Sequence, residues 1–127
     1  MANARVLVVD DDPDFVEITR TILRAHGFDV ASASSGKQAL AEMRQHKPDA
    51  VILDVMMNGA TDGYDVGRMM REDESLRDIP VLMVTSILDS PRAGDFPTDE
   101  ALPADEFLTK PVSPQQLVER VRAAIKG

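Results

Sequence analysis

Short runs of apolar residues alternate along the chain with longer segments in which apolar residues recur at helical spacing. A repeated strand–helix pattern predicts parallel strands, because each helix carries the chain back to the end of the sheet where the next strand begins. The second predicted strand is the most polar, which favours an edge position, and the third is apolar throughout, as expected of a central strand. The predicted strands are Val6–Val9, Phe28–Ala33, Ala50–Leu53, Val81–Val84 and Asp105–Leu108. We therefore predict an α/β fold.

Capping residues mark where the helices begin and end. Asp12 before Pro13 predicts the start of the first helix, and His26–Gly27 predicts its end. Ser113 and Gln116 form a capping box that predicts the start of the last helix. The remaining helices are predicted at about Gly36–His46 and Tyr64–Glu72.

The link between the fourth and fifth strands, Ser86–Ala104, has no regular helical pattern. It contains Pro91, Pro97 and Pro103 as well as Gly94, and proline removes a hydrogen bond from a helix. The crossover helix expected in this link is therefore predicted to be short, irregular or disordered.

Apolar positions also predict which helix faces are buried. Four apolar side chains of the first helix fall on one face, which we expect to pack against the sheet. They are Phe15, Ile18, Ile22 and Leu23. The seven methionines are interpreted as side chains that fill the core.

Length and charge limit the class of protein. A chain of 127 residues fits one domain, which we predict to span residues 1–127. The formal net charge of −8 argues against direct binding to nucleic acid. The chain has no cysteine, no secretory signal and no apolar run of membrane-spanning length, so we expect a cytoplasmic protein without a membrane partner.

Chemically reactive side chains follow four of the predicted strands. Asp10 and Asp11 follow the first strand, Asp54 the third, Thr85 the fourth and Lys110 the fifth. Because the carboxyl ends of parallel strands share one edge of a sheet, where ligands bind, we expect these five side chains to lie close together.

Three neighbouring carboxylates repel one another unless a cation offsets their charge. Oxygen ligands select a hard cation, and a partly hydrated Mg²⁺ needs only a few of them. An aspartate beside such an ion can attack phosphorus and form an acyl phosphate, while Lys110 stabilises charge on the transferred oxygens. The residues therefore indicate magnesium-dependent phosphoryl chemistry.

The sequence resembles the receiver domains of bacterial two-component response regulators over almost its whole length. The matching pieces are "VLVVDDDP", "PDAVILDVMM", "DGYDV", "IPVLMVTS" and "FLTKPV", in the order found in that family. The resemblance implies a flavodoxin-like (βα)5 three-layer sandwich with strand order 2-1-3-4-5. It also implies a phosphorylation-dependent signalling switch rather than an enzyme, with only self-phosphorylation and self-dephosphorylation chemistry.

Site roles are carried over by position from the resemblance. Asp54 is implied to be the phosphoacceptor, and Mg²⁺ or Mn²⁺ is implied to be bound by Asp10, Asp11, Asp54 and the backbone carbonyl of Met56. Thr85 and Lys110 are implied to contact the phosphoryl group. Thr85 and Phe107 are implied to be the switch residues, and the Lys110–Pro111 bond is implied to be cis.

The resemblance implies partners as well. The implied phosphoryl donor is a sensor histidine kinase or a histidine phosphotransfer protein, and the implied output is binding to a downstream protein. We expect a monomer or a weak, phosphorylation-dependent dimer that does not contact nucleic acid directly.

Two segments depart from the family pattern. Asn58 stands where the family usually has proline, and "NGATDG" is one residue longer than the usual link to the Asp-Gly turn. Ser86–Ala104 is also longer than usual, so we do not expect the output surface or dimer mode of the family to apply unchanged.

Two other classes of protein remain open at this point. A magnesium-dependent aspartyl phosphohydrolase would have an Asp-x-Asp-x-Thr/Val pattern after the first strand, and Asp10–Asp14 lacks the final Thr or Val. A receiver that acts as a constitutive protein-binding module is disfavoured by the intact site residues and favoured only by the unusual loops.

Overall fold

The computed structural model describes residues 4–54, 62–86, 106–110 and 112–126. The strands are β1 (Arg5–Val9), β2 (Asp29–Ala33), β3 (Ala50–Asp54), β4 (Val81–Ser86) and β5 (Glu106–Lys110). The helices are α1 (Pro13–Ala25), α2 (Gly36–Gln45), α3 (Asp62–Glu72) and α4 (Pro114–Lys126). The irregular crossover predicted for Ser86–Ala104 lies, after its first residue, outside the described residues.

The five strands form one parallel sheet in the order β2-β1-β3-β4-β5. This order confirms the predicted α/β class, the predicted 2-1-3-4-5 topology and the edge position of the second strand. The register places Val8 of β1 beside Ser32 of β2 on one side and Ile52 of β3 on the other. The sheet order reverses between β1 and β3, which is the point where open α/β sheets form a ligand crevice.

Two separate apolar cores account for the continuous hydrophobicity of the central strands. Successive side chains of a strand point to opposite faces, so helices on both faces require apolar residues at every position. One core joins Val9, Leu53 and Met83 to side chains of α2 and α3. The other core joins neighbouring strand residues to α1 and α4 through Leu23 and Leu117. The arrangement is a three-layer sandwich.

The predicted helix caps are confirmed. Asp12 Oδ1 accepts the backbone N–H of Asp14 at 3.0 Å, and Ser113 Oγ accepts that of Gln116 at 3.1 Å. Gly27, with φ of 91°, ends α1 in the left-handed conformation that favours glycine.

Some predicted details are wrong. Ile18 is 59% exposed, whereas its neighbour Thr19 is buried at 1%. Both positions lie one helical turn from Phe15, and the helix is rotated so that the threonine faces the sheet. Met69 is 51% exposed and so does not fill the core.

Three strands are longer at their carboxyl ends than predicted. Pairing between β4 and β5 continues to Ser86 and Lys110, and β3 includes Asp54. Hydrogen bonding to a neighbouring strand extends a strand through polar residues that the apolar pattern alone would exclude. No helix within the described ranges combines the length and apolar character needed to span a bilayer.

Candidate functional site

The carboxyl end of β1 presents Asp10 in a fixed position. Its backbone N–H donates to the carbonyl of Ala33 at 3.1 Å, which fastens it to the end of β2. Its Oδ1 accepts the backbone N–H of Asp12 at 2.9 Å, which shapes the turn into α1. The Asp10 side chain is only 2% exposed, whereas Asp11, the next residue, is exposed.

Asp54 approaches the same place from β3. It is the last residue of that strand, it lies beside Val84 of β4, and it is 7% exposed. Asp10, Asp11 and Asp54 each offer a carboxylate oxygen such that the three atoms lie within 4.8 Å of one another. Residues separated by more than forty positions along the chain are thus brought together by the adjacency of β1 and β3.

The cluster has the chemistry and dimensions of a divalent cation site. Burying carboxylates next to one another is unfavourable unless a cation compensates their charge. Oxygens bound to Mg²⁺ at about 2.1 Å lie roughly 3 to 4 Å apart in octahedral geometry, which is comparable with the spacing of the three carboxylate oxygens. These three residues could therefore hold a metal ion.

The other predicted site residues are placed only in part. Thr85 pairs with Thr109 and Ser86 with Lys110, so the backbones of Thr85 and Lys110 lie at the same edge of the sheet as Asp54. Phe107 pairs with Met83, farther from the edge. The structure does not describe the side chains of Thr85, Phe107 and Lys110, and their roles stay predictions.

Met56, Asn58 and Pro111 fall outside the described residues. Three expectations therefore stay predictions: the carbonyl ligand at Met56, the effect of the longer loop that contains Asn58, and the cis bond before Pro111.

A polar groove beside the acid cluster was not predicted. It has a volume of about 350 Å³ and runs between α1 and the end of β2, with Asp10 and Asp11 at its border. Arg20 of α1 lines this groove and donates from Nη2 to Ser32 Oγ at 3.0 Å. The sequence carries the necessary residues, but only the packing of α1 against β2 shows that they meet.

The chain is similar to known proteins over nearly its full length. A family profile described as "Response regulator receiver domain" matches residues 6–122. The DNA-binding response regulator MtrA of Mycolicibacterium smegmatis is 40% identical over 96% of this chain, which covers 50% of MtrA. The chain thus spans about half the length of the curated relatives it matches.

Solved structures of response regulators and receiver domains are also similar to this chain. A putative response regulator from Chloroflexus aurantiacus superposes with a TM-score of 0.83 at 32% identity, covering 98% of this chain and 99% of that one. The signal receiver domain of a signal transduction histidine kinase from Syntrophus aciditrophicus superposes with a TM-score of 0.86 at 29% identity, covering 98% of this chain and 91% of that one.

Proposed function

This chain belongs to the response regulator receiver domain family, whose members are phosphorylation-dependent signalling switches, and we propose that Asp54 is the residue that accepts the phosphoryl group. The convergence of three carboxylate oxygens within 4.8 Å at the carboxyl edge of the sheet carries this proposal. Asp54 is the member of that cluster on β3, which lies at the centre of the sheet between β1 and β4.

The proposed reaction is a transfer between two carriers. An Asp54 carboxylate oxygen attacks the phosphorus of a phosphohistidine, a P–O bond forms, and the P–N bond breaks with its electron pair leaving on the imidazole nitrogen. The product is an acyl phosphate on Asp54. A carboxylate nucleophile carries no proton, so this step needs no general base.

Asp10 and Asp11, with Asp54 and the carbonyl of Met56, are proposed to bind Mg²⁺ or Mn²⁺. When bound, the ion would neutralise negative charge on the transferred oxygens. Asp10 is preorganised for this role because its backbone is held by Ala33 and its Oδ1 by Asp12. Asp11 is exposed to the solvent from which the ion would bind.

The carried-over roles of the remaining residues belong to the same proposal. Thr85 is proposed to donate its hydroxyl to the phosphoryl group, Lys110 to place its ammonium against the same oxygens, and Phe107 to change rotamer with the switch. Support comes from the pairing of β4 with β5, which brings the backbones of Thr85 and Lys110 to the edge that holds Asp54.

The partners and the setting of the domain are proposed from the family. A sensor histidine kinase is the implied phosphoryl source, directly or through a histidine phosphotransfer protein, and the cytoplasm is the expected location. We propose that residues 1–127 form a single receiver domain, monomeric or weakly dimeric when phosphorylated. The relative MtrA is a DNA-binding response regulator, so the absence of direct nucleic acid contact stays a prediction for this chain.

Labelling by acetyl phosphate tests the proposal. The intact mass of the wild-type protein should rise by one phosphoryl group in the presence of Mg²⁺ and stay unchanged with a chelator. Asp54→Asn should abolish the mass increase, and Asp14→Asn, which alters an exposed acid at the start of α1, should leave it intact. Labelling of Asp54→Asn at the wild-type extent would reject the assignment, and continuous release of phosphate from simple esters would favour a phosphohydrolase instead.

A further inference from the structure

Arg20 is held in a bridge between α1 and β2. Its Nη2 donates to Ser32 Oγ at 3.0 Å, and its Nη1 pairs with Glu17 Oε2 at 3.2 Å. Its Nε is buried without an acceptor in the part of the chain that the structure describes. A buried guanidinium nitrogen with no partner is costly, so the contacts of the other two nitrogens must hold the side chain in this position.

The bridge continues to the acid cluster through the backbone. Ser32 precedes Ala33, whose carbonyl accepts the N–H of Asp10 at 3.1 Å. Asp10 in turn accepts the N–H of Asp12 at 2.9 Å. One chain of contacts therefore leads from the Arg20 guanidinium to the carboxylate of Asp10, and both ends of it border the same polar groove.

We propose that Arg20 is a positioning residue for metal binding: by tying the end of β2 to α1, it holds Asp10 in the orientation that a divalent cation needs. The inference rests on the proposed function, which makes Asp10 a metal ligand. Mg²⁺ demands nearly ideal octahedral geometry at about 2.1 Å, so a small displacement of one ligand weakens binding. Groups that orient metal ligands without touching the ion commonly change metal affinity by about tenfold or more.

Charge and position predict opposite outcomes when Arg20 is changed. Arg20 is a cation in the groove that borders Asp10 and Asp11. If its charge alone mattered, its removal would strengthen the binding of Mg²⁺, because one repelling positive charge would be lost. Its charge is, however, paired with Glu17, and its side chain is 29% exposed, so solvent and the pair screen its field. Positioning should therefore dominate, and the sign of the change in affinity separates the two effects.

The test compares Arg20→Gln and Ser32→Ala with Arg44→Gln, a matched control whose arginine pairs with Asp73 at 3.4 Å and does not line the groove. Calorimetric titration with MgCl₂ should show affinity about 10-fold lower for Arg20→Gln and a smaller loss for Ser32→Ala. Ser32→Ala keeps every charge, so its loss reports position alone. Arg44→Gln should bind as the wild type does.

Amide hydrogen exchange in metal-free protein gives an independent readout. The N–H groups of Asp10 and Asp12 should exchange faster in Arg20→Gln than in the wild type, and at the wild-type rate in Arg44→Gln. Unchanged exchange at these two amides, or Mg²⁺ affinity equal to or above that of the wild type in Arg20→Gln, would overturn the proposal. A failure of Asp54 to become labelled would reject the proposed function and leave the exchange result standing.

Discussion

Acidic residues at the two ends of the parallel sheet have different neighbours. At the amino end, Glu42 pairs with Arg5 at 2.9 Å, and the backbone N–H of Arg5 donates to Asp49 at 2.8 Å. At the carboxyl end, Asp10 and Asp54 are both buried and lie close to each other. The acids at the amino end lie beside Arg5, whereas the acids at the carboxyl end lie beside one another, where a divalent cation can bind.

This difference shows how the charges around an acidic residue can distinguish a structural role from a role in binding a cation. A structural acid is paired with a cation of its own chain, as Glu42 is with Arg5, and its removal costs stability. An acid that lies next to other acids is repelled by their charge, and a bound cation that relieves this repulsion stabilises the folded protein. The two ends should therefore respond oppositely to neutralisation.

The largest expected effect is on metal affinity at the carboxyl end. Asp11→Asn removes one charged ligand from the cluster and should weaken Mg²⁺ binding by about 100-fold or more, beyond the loss typical of a group that only orients a ligand. Calorimetric titration measures it. Because Asp11 is exposed, the variant should fold normally, and Asp14→Asn serves as the control. Wild-type affinity in Asp11→Asn would remove this residue from the site.

Neutralising a buried member of the cluster should stabilise the metal-free protein. Asp10→Asn keeps an oxygen for the N–H of Asp12 and removes a like charge from the cluster, so the free energy of unfolding should rise by about 1 kcal/mol. Urea unfolding in the presence of a chelator measures the change. A loss of stability would show that the charge of Asp10 is already compensated within the chain, and the contrast between the two ends would fail.

Neutralising an acid at the amino end should have the opposite sign. Glu42→Gln weakens a partly exposed ion pair with Arg5 and should lower the free energy of unfolding by about 0.5 kcal/mol. The same urea experiment measures it, and high salt should reduce the difference. Glu74→Gln, an exposed acid, is the control and should be neutral. If Glu42→Gln were stabilising, the pair would not be structural.

The smallest effect is a pH dependence at Asp73, also near the amino end. Hydrogen bonds from the Ser75 hydroxyl and the Ser75 N–H, helped by Arg44, lower the pKa of Asp73 below 3.8. A lowered folded-state pKa adds stability that is present above the unfolded pKa and is lost as the pH falls through the folded value.

The stability difference between wild type and Asp73→Asn should therefore be constant near neutral pH and shrink below about pH 4. Unfolding measured from pH 7 to pH 2.5 checks the trend. Ser75→Ala should weaken the dependence, because its hydroxyl is the largest cause of the shift. A difference that grew on acidification would contradict the assigned cause.

Most of the fold was predictable because the central strands are buried on both faces. Continuous apolar runs such as Val6–Val9 and Ala50–Leu53 leave no polar face, which requires helices on both sides of a parallel sheet. The caps at Asp12 and Ser113 were predictable because their hydrogen bonds are local.

Details that depend on tertiary contacts were not predictable in the same way. The inward face of α1 includes Thr19 rather than Ile18, because helix rotation is decided by packing and not by hydrophobicity at one position. The ends of β4 and β5 depend on their mutual pairing. The hydrogen bond from Arg20 to Ser32 joins α1 to β2, and the local sequence does not predict that these two side chains are in contact.

The residues of the candidate site also differ in how far the sequence could predict them. Asp10, Asp11 and Asp54 could be placed together from the sequence because strand ends in a parallel sheet share one edge. The roles of Thr85, Lys110 and Phe107 rest on the family pattern and on backbone pairing.

Crystals grown with Mn²⁺ would test the central claim most directly, because an anomalous difference map locates the ion without assumptions about function. We expect a single strong peak bound by the carboxylates of Asp10, Asp11 and Asp54 at about 2.2 Å, the spacing typical of a small divalent ion with oxygen ligands. Density for Mn²⁺ elsewhere on the protein, with none among these three side chains, would contradict it.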